Sequence, residues 1–187
     1  MNQNYFFRKI GAADAREFFA MRMKALQTDP NSFVATMEEE TAMTPADVEK
    51  YLTKNYVLGV FAQSEAKLRG RAARGGCKAQ DAGVLVGTLV FMEQERQKFK
   101  HIGILGGMYV HPDHRGKGLS RKLLQIMLKN LQKYDHLYGL QLKVVTSNTP
   151  AISLYESAGF STWATEKNAL LHQGQFFDQH HMALQFS

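Results

Sequence analysis

Between Ile102 and Leu131 a nearly unbroken apolar stretch, Ile102–Val110 (IGILGGMYV), passes through the polar turn His111-Pro112-Asp113-His114 into Arg115-Gly116-Lys117-Gly118-Leu119-Ser120 and then an amphipathic segment. No other part of the chain constrains the fold as much. The apolar stretch suits a strand buried on both faces. From Gly118 to about Lys133, apolar residues recur at Leu119, Leu123, Leu124, Met127, Leu128 and Leu131, with Arg121, Lys122, Gln125 and Lys129 opposite. That spacing predicts a helix with one apolar stripe. A buried strand that turns through glycines into a helix presents free N–H groups and a positive dipole end to an anion. Arg115 and Lys117 add charge, so the turn suits a di- or triphosphate.

Two common phosphate loops are excluded. The pattern G-x-x-x-x-G-K-[ST] is absent, which disfavours nucleoside-triphosphate hydrolysis. Counted from Gly116, the third glycine of a dinucleotide fingerprint falls on Arg121.

Around this unit the chain alternates in type. Strands are expected at 4–9, 56–62, 83–92, 102–110, 140–147, 160–170 and 176–186, with a turn at His172-Gln173-Gly174. Helices are expected at 12–28, stopped by Asp29-Pro30; at 45–54, opened by Thr44-Pro45; and from Thr149-Pro150 to a left-handed cap at Gly159. Residues 31–44 read as a loop carrying Glu38-Glu39-Glu40. The expected fold class is α/β: a single mixed, mostly antiparallel central sheet flanked by helices, forming one domain over 1–187. Residues 63–82 are polar, glycine-rich and basic, and read as a mobile loop between two strands. Lacking interleaved aromatics, that loop is a poor platform for nucleic acid.

Composition narrows the setting. The net charge is +6, which fits an anionic ligand or simply a basic surface. No apolar run would span a bilayer. The opening residues lack a basic region followed by a long apolar core, so a secretory signal is not expected in them. The single cysteine, Cys77, allows no internal disulfide framework, so a cytoplasmic setting is expected. Scattered histidines give no metal-ligand pattern.

Two separated motifs, V-H-P-D-H-R-G-K-G-L-S after the apolar strand and Asn148, Ala151, Leu154, Tyr155, Glu156, Gly159 and Phe160, resemble those of the GNAT superfamily of N-acetyltransferases. The element order agrees with that family over nearly the whole chain. Ser120 departs from the family's Gly or Ala but stays small and keeps its N–H. The resemblance implies acetyl-CoA as cosubstrate and transfer of its acetyl group to a primary amine, on a small molecule or peptide, by direct attack. In that mode the strand Met108-Tyr109-Val110 pairs its backbone with the pantetheine arm. Amides of Arg115, Gly116, Lys117, Gly118, Leu119 and Ser120 hold the pyrophosphate. Asn148 contacts the cofactor arm, or alternatively is only a strand-end turn residue. Tyr155 protonates the departing thiolate, the rival account being plain packing.

Gly106-Gly107 inside a strand independently suggests a bulge, which in the family helps to splay the strand from its neighbour. The base is open. Many family members place a carboxylate on the strand before the phosphate loop, and 102–110 contains none. Glu93, Glu95, Glu38, Glu39, Glu40, His111, His180 and His181 are the candidates. His180 and His181 are strand neighbours, so at most one faces the cleft. An acyl-CoA-binding domain without catalysis is the rival reading. Oligomeric state is open, a homodimer being one arrangement.

Overall fold

The computed structural model describes residues 4–63 and 83–186. The basic stretch expected as a mobile loop, Gln63 apart, lies outside the described residues. The elements are β1 (Tyr5–Ile10), α1 (Ala15–Thr28), α2 (Met37–Thr41), α3 (Pro45–Lys54), β2 (Tyr56–Gln63), β3 (Gly83–Met92), β4 (Ile102–Val110), α4 (Leu119–Leu131), β5 (Gly139–Val145), α5 (Thr149–Glu156), β6 (Ser161–His172) and β7 (Gln175–Gln185). The strands form one seven-stranded sheet in the order β1-β2-β3-β4-β5-β7-β6. Every neighbouring pair is antiparallel except β4–β5.

The sheet separates two cores. On one face α4 and α5 bury Leu123, Leu124, Met127, Leu131 and Tyr155 against strand residues such as Leu89, Leu105, Leu142 and Met182. On the other, α1 and α3 bury Phe18, Met21, Val48 and Leu52 against Val57, Phe61, Leu85, Val90 and Tyr109. The expected stripe of α4 is therefore the buried one, with Leu128 only partly covered.

The chain departs from the sequence expectation in three places. Residues 12–14 form a 3-10 turn, and α1 starts at Ala15. The stretch 31–44 is more than a loop: it contains α2, capped where Thr36 Oγ1 accepts from the Glu39 N–H while the Glu39 carboxylate accepts from the Thr36 N–H. Strand β5 ends at Val145, because Thr146–Ser147 turn the chain into α5. At the β6–β7 hairpin, Gln173 and Gly174 both have positive φ, the geometry a two-residue turn with matching twist requires.

Candidate active site

The functional cleft exists because β4 and β5 pair only briefly. Their parallel register runs from Ile102↔Gly139 to Ile104↔Gln141 and then ends. Beyond that point the strands part. On its other side β4 carries a bulge: Val90 pairs with Gly106 and Thr88 with Tyr109, so Gly107 and Met108 together oppose Leu89. Gly107 has φ +57, and a Cβ there would lie 2.9 Å from Val90 Cγ2, so this position needs glycine on both counts. Thr88 Oγ1 donates to the Gly107 carbonyl at 3.1 Å and helps to hold the bulge.

The bulge decides where the free backbone points. The His111 N–H donates to Val86 O on β3. In an antiparallel ladder successive residues alternate, so the N–H and C=O groups of Val110 and Met108 turn away from β3; Arg115 Nε takes the Val110 carbonyl, which leaves the Val110 N–H and the Met108 groups to the gap. Unpaired backbone at a sheet interior needs a partner. An extended amide-bearing arm laid along β4 would supply one.

At the gap's mouth the phosphate loop joins β4 to α4. Gly116 and Gly118 have φ of +74 and +72, and nothing lies within 4 Å of a Cβ built at either. Gly118 is the N-cap residue of α4 and has no side chain to cap the helix. The first intrahelical bond runs from the Lys122 N–H to Gly118 O. The N–H groups of Leu119, Ser120 and Arg121 are thus left for an external anion, with the helix dipole behind them.

The cleft encloses about 510 Å³ and is lined by residues from every element that meets there, among them Met108, Val110, Gly118, Ser120, Asn148 and Leu154. Tyr109, Arg115, Gly116 and Leu119 also line it. Of the residues that the resemblance assigns to the cofactor or to the departing thiolate, Lys117 and Tyr155 do not line it.

The Lys117 ammonium turns back to β1, donating to Tyr5 Oη at 3.0 Å and Asp113 O at 3.3 Å. Its contribution to anion binding is therefore limited to its backbone and its field.

Tyr155, next to Leu154 on α5, is part of the core between the sheet and α4, 7% exposed and edge-on to Phe160. Burial pushes its phenol up to about 12, so it keeps its proton throughout the neutral range.

Arg115 does not point freely at a phosphate. Its Nε donates to Val110 O at 2.9 Å, and its outer nitrogen donates to Asp29 Oδ2 at 2.6 Å. Burial raises the Asp29 carboxyl, but hydrogen bonds from Arg115 and Thr28 outweigh it and hold the group below the usual range. Asn148 does two things: its Oδ1 caps α5 by accepting from the Ala151 N–H, and its Nδ2 donates to Ser32 Oγ across the cleft.

Residues that the sequence reading passed over complete the site. The turn after α1 crosses the cleft: Thr28 Oγ1 bonds Tyr109 Oη at 3.0 Å, Asp29 holds Arg115, and Ser32 meets Asn148. Arg121 also lines the cleft and donates to Ser157 Oγ. Phe33 separates the cleft from a second hollow of about 310 Å³, whose walls include Asn31, Val34, Glu38, Leu171 and Phe177.

Among the candidate bases, Glu93, Glu95, Glu39, Glu40 and His111 lie outside the cleft lining. Glu95 pairs with Lys54, and Glu93 lies near His136, both at the end of β3 remote from the phosphate loop. Glu40 is engaged by Arg22, and Glu39 caps α2. The His111 ring accepts from the Asp113 N–H and is absent from the cleft lining. His180 bonds Thr165, whereas His181 bonds Glu166. No cluster among the described residues could hold a metal ion, and no helix among them is long and apolar enough to cross a membrane.

Comparison with known proteins follows this geometry. The family model described as Acetyltransferase (GNAT) family matches residues 31–160. The chain is 28% identical over 101 residues to the L-amino acid N-acetyltransferase AaaT of Escherichia coli, covering 54% of this chain and 62% of that protein. It is 25% identical over 100 residues to N-alpha-acetyltransferase 30 of Saccharomyces cerevisiae, covering 54% and 56%. The match therefore spans about 60% of the length of these curated relatives. The structure of yncA from Salmonella typhimurium with its cofactor acetyl-CoA superposes with a TM-score of 0.76 at 21% identity, covering 98% of this chain and 95% of that one.

Proposed function

The chain belongs to the GNAT acetyltransferase family, and we propose that it transfers the acetyl group of acetyl-CoA to a primary amine by direct attack. The observation that carries this reading is the parting of β4 from β5 beside the Gly107 bulge, which opens onto the phosphate loop. The residues present fit the cofactor: glycines with open space, an uncapped helix start, and outward-facing strand backbone.

In this reading the backbone of Met108 and Val110 holds the pantetheine arm in an extended form. The amides from Gly116 to Arg121 neutralise the pyrophosphate, with the Arg121 side chain nearby. Asn148 stands where it can reach the arm without leaving its capping role. Bound acetyl-CoA supplies the activated thioester carbonyl. The chain's part is to hold that carbonyl at the gap and to provide a proton for the thiolate. Tyr155, neutral at working pH and one residue beyond the cleft-lining Leu154, is the proposed donor.

The acceptor approaches from the side of Phe33 and the second hollow, away from α4 and α5. Its class is an α-amino group on an amino acid or peptide, in keeping with what the relatives' names describe. The setting is cytoplasmic, in keeping with the lone cysteine. A homodimer is the proposed assembly, because β6 forms one edge of the sheet.

The rival reading, acyl-CoA binding without turnover, is favoured by one observation: β4 bears no carboxylate. Release of CoA thiol from acetyl-CoA, measured with L-methionine, L-phenylalanine and an alanine-starting peptide, separates the two. Turnover on any of these amines supports transfer. Binding without turnover supports the rival.

A further inference from the structure

The half of the sheet formed by β5, β7 and β6 has one face that neither helical core covers. Leu140, Leu142, Val144 and Met182 face α4 and α5. Strand alternation then puts Lys143 and His181 on the opposite face, where they are register partners. That face lies across the sheet from the helices that wall the cofactor cleft. Lys143 sits on β5 just past Gln141, the last residue paired with β4. It therefore stands on the wall of the open gap, and His181 lies one strand further, about 5 Å away at the usual strand spacing.

A carboxylate from β6 completes the group. Register shifts on either side of Ala164–Glu166 bring Glu166 over its neighbours. Its Oε2 lies 2.8 Å from His181 Nε2 and 3.3 Å from Lys143 Nζ. Hydrogen bonds from His181 and Lys143 hold the Glu166 carboxyl below the usual range, so it is ionised and only accepts. His181 Nε2 must then be the donor. In the neutral ring this leaves Nδ1 with a lone pair, and among the described residues no group bonds it. The Trp163 ring stands edge-on to the imidazole, 5.4 Å between centroids, and is 59% exposed.

We propose that His181, oriented by Glu166, is the proton acceptor for the incoming ammonium, reached from the gap through a water, with Trp163 offering a surface to the acceptor's apolar part. This rests on the acetyl-transfer reading above. The ammonium gives a proton through the water to Nδ1, leaving a neutral amine. Its nitrogen pair forms the C–N bond to the thioester carbonyl carbon. The C–S bond breaks with its electron pair on sulfur, and the thiolate takes a proton from the phenol of Tyr155. The proton remaining on the new amide nitrogen restores the phenol, and His181 releases its own proton to solvent. The charged groups facing His181 are Glu166 from β6 and Lys143 from β5.

The test is the pH dependence of kcat/KM for His181→Gln and Glu166→Gln, with L-phenylalanine as acceptor. In the wild type, activity should rise with pH as the proton acceptor is freed. His181→Gln should lose that limb and about 10²-fold in rate at pH 7. The deficit should shrink at alkaline pH, where the amine deprotonates unaided. KM for acetyl-CoA should not change. An equal deficit at every pH, or none, overturns the proposal. Nitrogen NMR of the wild-type imidazole gives an answer independent of turnover: a proton on Nε2 is expected, and one on Nδ1 overturns the assignment. Calorimetric binding of acetyl-CoA to the wild type and His181→Gln isolates the parent reading, since loss of binding in the wild type would sink that reading instead.

Discussion

The guanidinium of Arg115 donates to the carboxylate of Asp29 at 2.6 Å while its Nε holds the carbonyl of Val110 at 2.9 Å. One side chain thereby ties the phosphate loop to the last residue of β4 and to the turn that ends α1. The loop is held in shape by protein contacts, and the anion is left to the backbone amides.

Asp29→Asn should weaken cofactor binding without abolishing it. The pair is partly exposed, so its loss should cost about 0.2–1 kcal/mol, equivalent to an increase of about 1.5- to fivefold in the dissociation constant for acetyl-CoA. The Asp29 carboxyl is held below its ordinary value. Its contribution to stability is therefore present above the unfolded value, about 3.9, and is lost as pH falls through the folded one. Thermal melts of wild type and variant should differ at pH 7 and converge as pH falls through the folded value.

Gly118→Ala tests the loop's backbone. Nothing lies within 4 Å of the added methyl, so any effect comes from the left-handed conformation. That strain is worth about 1–2 kcal/mol. Acetyl-CoA binding should weaken as the Leu119 and Ser120 amides shift, with the fold intact by circular dichroism. Gly107→Ala should cost more stability, because it adds the close approach to Val90 to the same strain.

Tyr155→Phe should lower kcat by about 10²-fold with KM for acetyl-CoA unchanged, if the phenol acts only as the thiolate leaves. The buried phenol also has a signature in alkali. Its folded value is about 12, against about 10 when unfolded, so the native state retains the proton between these values and its stability falls as pH rises through them. The variant should lack this alkaline loss, measured by denaturant unfolding at pH 9 and pH 11.

Phe33→Ala should change acceptor choice more than cofactor binding. The ring separates the cleft from the second hollow and is held near the Arg22 guanidinium, 5.5 Å from its centroid, and the Tyr109 ring. Removing it joins the two spaces. Bulkier amines should gain in kcat/KM relative to small ones, while acetyl-CoA binding changes by less than about threefold, roughly 0.65 kcal/mol.

Local pattern made much of this legible. The apolar period gave β3 and β4 their bounds, and the spacing of leucines in α4 marked its buried face. Gly106-Gly107 announced the bulge, because glycine within an apolar strand has few other uses. The helix at Met37–Thr41 was also readable, through the Thr36/Glu39 capping box, but the acidic run masked that signal. The relationships that complete the site were not local. Arg115 and Asp29 are 86 residues apart, and two register irregularities in β6 bring Glu166 to His181. Spacing in the chain carries no trace of either. Nor could composition show that Lys117 turns to Tyr5, since a lysine beside a glycine loop reads as a phosphate ligand until its neighbours in space are known.

The central claim is that the cleft between β4 and β5 binds acetyl-CoA through the phosphate loop. Isothermal titration of the wild-type protein with acetyl-CoA tests it most directly. The account predicts one site with a dissociation constant of about 1–100 μM, within the range usual for enzyme substrates. No binding heat up to about 1 mM acetyl-CoA, the top of that range, would contradict it.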